Sequence, residues 1–208
     1  MSDKKTYFDT LAKARKKRGI SAYYWKEITN YSKYFSHEDS SVLEIGCGSG
    51  DLLAGIDGKR KVGIDFSEEM IAWAKEKHSD KTIEFMVMDA NNITLNEKFD
   101  LVIISNLIGF VDDIQNVFEQ VKKVCHPNTK VIVQFYNSLW EPVIKFAELI
   151  GLKKKTPLQN WLNSRDINNL LFVSGFDVYR NSKRLIFPVF FPILSFILNK
   201  YLAKFPFF

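Results

Sequence analysis

Three acids, an amide and a glycine loop stand out in this sequence as a set able to hold a ligand. The loop is EIGCGSGD, with Gly46, Gly48 and Gly50 following Glu44. Asp65 closes the run KVGID nineteen residues beyond Gly46, Asp89 closes IEFMVMD, and Asn106 follows FDLVIIS. Glycines allow a backbone to approach a ligand closely. Carboxylates at strand ends accept hydrogen bonds from hydroxyl and amino groups. The set therefore describes a site for a nucleoside-bearing molecule.

The loop reads G-x-G-x-G, since position 51 is Asp, and so departs from the G-x-G-x-x-G of nicotinamide sites. Glu44 also disfavours a pyrophosphate, because like charges repel. A carboxylate there suits a ligand with a cationic amino group, such as the methionine part of S-adenosylmethionine. Asp65 is placed to accept both ribose hydroxyls, and Phe66 to cover one adenine face. Asp89 is placed to accept from the adenine amino group, with Ala90 offering a backbone N–H.

These residues need strands to carry them to one edge. SVLEIG, KVGID, IEFMVMD, FDLVIISN and KVIVQFYN read as strands, near-continuously apolar as in sheets covered on both faces. SGDLLAGI, SEEMIAWAKEKH and VDDIQNVFEQVKKVC read as helices between them, with Ser67 as an N-cap. Alternating strands and helices predict a doubly wound, mostly parallel α/β sheet of the Rossmann-like kind, with helices on both faces. Before it, Tyr7 to Phe35 predicts one or two aromatic-rich helices across the ligand edge. After it, WEPVIKFAELIG and SRDINNLLFVSG predict helices and FDVYRNSKRLIF a strand. The expected division is a helical cap over 1–40, a ligand-binding domain over 41–184 and a hydrophobic amphipathic tail over 185–208.

E-x-G-C-G-S-G, G-I-D-F-S, M-D-A and F-D-L-V-I-I-S-N, in this order, resemble the motifs of the class I S-adenosylmethionine-dependent methyltransferases, of the methyltransferase-type-11 kind. The resemblance covers about Val42 to Val133. It implies S-adenosylmethionine as cofactor, held by Glu44, Gly46, Cys47, Gly48, Asp65, Phe66, Met70, Asp89, Ala90, Ser105 and Asn106. FDTLAKAR, NLIGFVDDIQ, VCHPNTK, YNSLWEP and QNWL further resemble a bacterial subgroup often encoded with, or fused to, glycosyltransferases. Many of those relatives have His where this chain has Phe110, so a candidate base is missing. No sequence is evident for the seventh, antiparallel strand of that fold. Enzymes acting on exocyclic base amines carry an acidic or amide residue followed by Pro-Pro and an aromatic residue here; this chain has Ser105-Asn106-Leu107-Ile108, which argues against that class.

The acceptor side is less legible. Tyr23, Tyr24, Tyr136, Asn137 and Trp161 are candidates to contact the substrate. His37, His78 and His126 are bases by type but lie in polar or helix-end contexts, and no catalytic residue is assigned. Cys47 reads as a small loop residue rather than a nucleophile. No metal site is expected from two cysteines. The start, MSDKKTYFDT, lacks the apolar run of a secretory signal, so a cytoplasmic protein is expected.

Charge is uneven. Residues 1–20 carry seven Lys/Arg against two acids, 21–138 twelve against eighteen, and 139–208 ten against four. Basic ends of this kind suit an anionic partner, such as lipid headgroups or a phosphate-bearing substrate. From Ile193 onward Leu194, Ile197, Leu198, Tyr201, Leu202 and Phe205 share a helical face, which fits either a helix packed on the domain or one lying in a membrane interface. The reading is an enzyme methylating a small-molecule, sugar or lipid-linked acceptor, peripheral to a membrane through its tail. The rivals are an RNA or protein methyltransferase, disfavoured by the lack of an RNA module, and a binding module that transfers nothing.

Overall fold

Five short apolar runs of this sequence pair into one sheet, β1 Ser41–Ile45, β2 Arg60–Asp65, β3 Glu84–Val87, β4 Phe99–Ser105 and β5 Cys125–Gln134. The computed structural model describes residues 2–14, 22–151, 155–157 and 159–181. Strand order is β3-β2-β1-β4-β5, and every pairing is parallel. Helices α1 (Ser2–Lys13) and α2 (Ala22–Lys33) precede the sheet, α3 (Asp51–Ala54), α4 (Glu68–Lys77) and α5 (Ile114–Lys123) connect its strands, and α6 (Glu141–Leu149) and α7 (Ser164–Val173) follow it.

Period-two alternation sorts the strand residues onto two faces. Leu43, Ile45, Val102 and Ile104 face Val117, Phe118 and Val121 of α5 and Ile167 and Leu171 of α7. Val42, Leu101 and Ile103 face Leu52 and Leu53 of α3, Ile71 and Ala74 of α4, and Tyr24 and Ile28 of α2. The doubly wound expectation holds, with helices on both sheet faces. All strand carboxyl ends lie on one edge, and the order reverses at β1, where a crevice opens between the β1 and β4 connections.

Four local expectations are corrected. The helix after the glycine loop is only Asp51–Ala54, bounded by Gly50 and Gly55. Strand β5 begins at Cys125, because a register shift between Phe99 and Leu101 carries residues 126–129 in the partner strand. His126 therefore sits in β5, not at a helix C-terminus. The described part of FDVYRNSKRLIF, Phe176 to Asn181, forms no strand. The Phe176 ring instead packs edge-on to Phe118, at 6.3 Å between centroids. No antiparallel strand occurs among the described residues, and the tail from 185 to 208 lies outside them.

The glycine loop is the most constrained backbone in the fold. Gly50 holds φ +73°, and a Cβ built on it would lie 2.5 Å from Phe85 Cζ. Gly151 has φ +75° but nothing within 4 Å of such a Cβ. Gly50→Ala should therefore destabilise by about 2–5 kcal/mol, the left-handed cost plus overpacking, and Gly151→Ala by only about 1–2. Urea unfolding of the two variants checks this; equal midpoint shifts would contradict it.

Candidate active site

Strand β1 delivers the first part of the site. Gly46 N and Cys47 N both donate to Ile64 O, at 2.8 and 3.0 Å, so the loop after β1 folds back onto the end of β2. Gly48 has φ +50°, and no atom lies within 4 Å of where its Cβ would be. That open space belongs to the cleft, which a ligand can enter against bare backbone. Glu44 is 2% exposed, and its Oε2 accepts from Leu53 N at 3.2 Å. The carboxylate thereby serves the amino end of α3, which has no side-chain cap of its own.

Asp65 ends β2 and is 8% exposed. Its Oδ2 accepts from Gly48 N and its Oδ1 from Ser67 N, both at 2.9 Å. Burial pushes this carboxyl above its usual range, the two amides pull it back, and nearby Asp9 adds a smaller upward push. Two carboxylate oxygens offer about four lone-pair directions, so a ligand hydroxyl still finds acceptors there. Ser67 caps α4, accepting from Met70 N at 3.1 Å, as its sequence position predicts.

Helix α1 lies across this turn. The Ser67 hydroxyl donates to Asp9 at 2.5 Å. Phe8 meets Phe66 and Phe110 edge-on, at 5.8 and 5.2 Å. Lys4 pairs with Asp112, Lys5 with Glu68 and Lys13 with Glu69. Helix α1 thus packs on the turn after β2 and, through Phe8, on Phe110. Asp89 spends Oδ1 on Asn91, accepting from its N and Nδ2 at 2.9 and 3.0 Å. It still lines the cleft with Ala90 and Met70.

Strand β4 and its neighbour supply a second polar group. Asn106 takes φ +55°, a left-handed backbone that Asn tolerates better than most residues, and turns the chain out of the sheet. Tyr24 OH donates to Asn106 Oδ1 at 2.8 Å, and the Tyr24 and Tyr136 rings stack at 5.3 Å. Ser105 Oγ, Asn106 Nδ2 and Gln134 Oε1 are buried without a hydrogen-bond partner. Ser105 and Gln134 are register partners at the ends of β4 and β5. Buried polar atoms that lack partners cost free energy and point to a missing ligand or water.

A cleft of about 2730 Å³ joins these groups and continues along β5. The cleft is not confined to the ligand edge, since Cys125, His126 and Thr129 at the far end of β5 also line it. Among the expected substrate residues, Tyr24, Tyr136 and Asn137 line this cleft. Tyr136 and Asn137 lie just past the end of β5, with Asn137 bridging to Leu162. Tyr23 and Trp161 are not among the lining residues. Neighbours on a helix point about 100° apart, so burying Tyr24 turns Tyr23 away.

Burial raises the phenols of Tyr24 and Tyr136 and the Cys47 thiol above their usual ranges. Both tyrosines are thereby held in their neutral, hydrogen-bonding form, and burial disfavours the thiolate of Cys47. His78 is a loop support, its Nε2 3.1 Å from both Ser49 O and Asp51 Oδ1. His126 pairs with Asp100 at 3.0 Å, at the opposite end of β5 from Gln134. His37 is exposed. Among the described residues no cluster of His, Cys, Asp and Glu forms a metal site.

Residues 43–133 match the family described as a methyltransferase domain. Over that stretch the chain is similar to methyltransferase domains. The methyltransferase fold is shared with a SAM-dependent methyltransferase from Aquifex aeolicus, at 17% identity and TM-score 0.63, covering 86% of this chain and 92% of that one. A malonyl-[acyl-carrier protein] O-methyltransferase from Bacillus anthracis is 29% identical over 43% of this chain and 35% of its own length. A phosphatidylethanolamine N-methyltransferase from Cereibacter sphaeroides is 34% identical over 44% of this chain and 48% of its own length. The matched stretch thus spans less than half of these curated relatives.

Sequence reasoning did not single out Asp9 or Gln134 for this site, and it read His78 only as a candidate base rather than a loop support. Gln134 was findable, since it ends the fifth apolar run. The α1 contacts had no local signal. Tyr24→Phe should cost about 1–2 kcal/mol of stability by leaving Asn106 Oδ1 short of a donor in a buried place. Chemical denaturation measures it, and an unchanged midpoint would show that the bond is not formed.

Proposed function

We propose that the chain is an enzyme moving a methyl group from S-adenosylmethionine to a small-molecule, sugar or lipid-linked acceptor. The observation that carries the reading is the convergence of the Gly48 backbone, Asp65 and Asn106 on one sheet edge, beside buried polar atoms without partners. These groups fit the cofactor. Gly48 leaves room against its backbone, Asp65 can accept from the ribose, and Phe66 offers an aromatic face. Glu44 favours the amino group of the methionine part. Bound there, S-adenosylmethionine supplies an activated methyl group on a sulfonium.

The protein's task is then alignment. Tyr24 and Asn106, with Gln134 behind them, can hold an acceptor hydroxyl or amine by hydrogen bonds. Helices α1 and α2 shield the edge from water with Phe8, Tyr24 and Trp25. Holding two reactants in line contributes about 7–11 kcal/mol in favourable cases. A base is needed only where the acceptor must lose a proton, and the neutral tyrosines and remote histidines offer none at the edge.

The acceptor class rests on several supports. The resemblance to a subgroup found with glycosyltransferases and the phosphatidylethanolamine-acting relative favour lipid-linked or sugar substrates. Basic ends and the apolar tail at 185–208 fit a membrane-peripheral protein. Among the described residues no helix is long and apolar enough to cross a membrane.

Calorimetry should show S-adenosylhomocysteine binding and no NAD binding. Asp65→Ala should weaken that binding by about 1–3 kcal/mol. Unchanged affinity would remove Asp65 from the site. Tritiated methyl transfer from S-adenosylmethionine into cell lipid extract, rather than RNA or protein fractions, is the expected acceptor result. Label in RNA alone would replace the proposed acceptor. His37→Ala, His78→Ala and His126→Ala should each keep most of the transfer activity, and a hundredfold loss with the fold intact would reveal a base.

A further inference from the structure

Ser105 Oγ, Asn106 Nδ2 and Gln134 Oε1, at and just past the ends of β4 and β5, have no hydrogen-bond partner among the described residues. They belong to one small patch. Ser105 and Gln134 are register partners on adjacent parallel strands, and Asn106 N donates to Gln134 O at 2.9 Å. Ser105 is 5% exposed, and all three residues line the cleft. The other ends of the two amides are engaged. Asn106 Oδ1 accepts from Tyr24 OH at 2.8 Å, and Gln134 Nε2 donates to Ser32 Oγ at 3.4 Å. Both partners stand on α2, so that helix decides which end of each amide is left over. Asn106 keeps a donor, Gln134 keeps an acceptor, and the Ser105 hydroxyl can be either.

That remainder selects a ligand group. A hydroxyl can accept from Asn106 and donate to Gln134 at once. An ammonium only donates, so it leaves the Asn106 N–H unmet, and an aliphatic amine is charged at neutral pH. A carboxylate only accepts, and it would face the Gln134 oxygen. The walls select the rest of the molecule. Trp25, Ile28 and Phe35 from the α2 side, with Ile132 and Tyr136 flanking Gln134, pack in one apolar cluster, and all five line the cleft. A sugar body would leave its hydroxyls unpaired against such walls.

We propose that the methyl acceptor is an uncharged alcohol on an apolar body, its hydroxyl held by Ser105, Asn106 and Gln134 and its hydrocarbon laid along Trp25 and Ile132. The inference rests on the methyltransferase reading and narrows its acceptor. In the transfer the hydroxyl oxygen bonds the methyl carbon, the S–CH3 bond breaks with its electron pair on sulfur, and the hydroxyl proton passes to water.

The test is calorimetry of the full chain, with and without S-adenosylhomocysteine, against 1-octanol, octylamine and octanoate, which share one chain and differ in the head. 1-Octanol should bind at least about tenfold tighter than the other two, and glucose should not compete. Gln134→Leu should weaken 1-octanol about tenfold while keeping S-adenosylhomocysteine affinity and melting temperature. Gln134→Glu, which keeps the acceptor oxygens and adds a charge, should turn the preference toward octylamine. A structural role for Gln134 would move the melting temperature and leave the order of the probes alone. Ser105→Ala, which deletes a single hydroxyl, should also weaken 1-octanol and serves if the Gln134 variants do not fold. Equal binding of the three probes, or 1-octanol held by Gln134→Leu and Ser105→Ala as by the wild type, would overturn the proposal. So would a wild-type preference for octylamine, which would point to Glu27, three residues from Tyr24 and also lining the cleft. A wild type that does not bind S-adenosylhomocysteine would instead sink the cofactor reading, and the order of the probes would still decide the head group.

Discussion

Asp65 is a buried carboxylate, and a buried charge persists only where hydrogen bonds replace its water. Its two oxygens take the amides of Gly48 and Ser67. One side chain thus ties the loop after β1 to the start of α4 after β2. The glycine loop needs that anchor, because its left-handed residues gain little from packing of their own. Glu44 makes a parallel link within the β1 connection, from the strand to α3. Both acids act on structure first, and both line the cleft.

The other half of the edge is built differently. Beyond β4 and β5 the polar groups are amides, hydroxyls and phenols, and several lack partners. In the proposed function the acid-rich side would face the cofactor and the uncharged side the acceptor. The acids would orient a nucleoside and an amino group. The neutral side can hold a hydroxyl or amine without penalising its reactive form by charge. Aromatic residues from α1 and α2 close over the junction, with ion pairs on their rim that salt weakens.

The strands and their parallel sheet were legible because buried parallel strands write themselves as continuous apolar runs, each ending in a polar residue at the ligand edge; the strand order was not read from the sequence. Ser67 as a cap and the acids at 44 and 65 followed from local chemistry. Other features depended on contacts distant in sequence. Strand β5 starts before the run KVIVQFYN, because a bulge opposite Phe99 and Leu101 admits residues 126–129. Gly50 and Gly55 shorten α3, and Glu44 substitutes for a cap that no local residue provides. Phe8 and Asp9 meet the site only because α1 crosses α4, a packing fact with no sequence signature. Tyr23 and Tyr24 look alike in the sequence; helix phase alone separates them.

The central claim is that the Gly48, Asp65 and Asn106 edge holds S-adenosylmethionine beside an uncharged acceptor site. A crystal structure of the chain with S-adenosylhomocysteine tests it most directly. The account predicts density along that edge, with the ribose hydroxyls on Asp65 and the sulfur turned toward Asn106 and Tyr24. A nucleoside seated elsewhere, or a ribose that leaves Asp65 bonded to Gly48 and Ser67 alone, would contradict it.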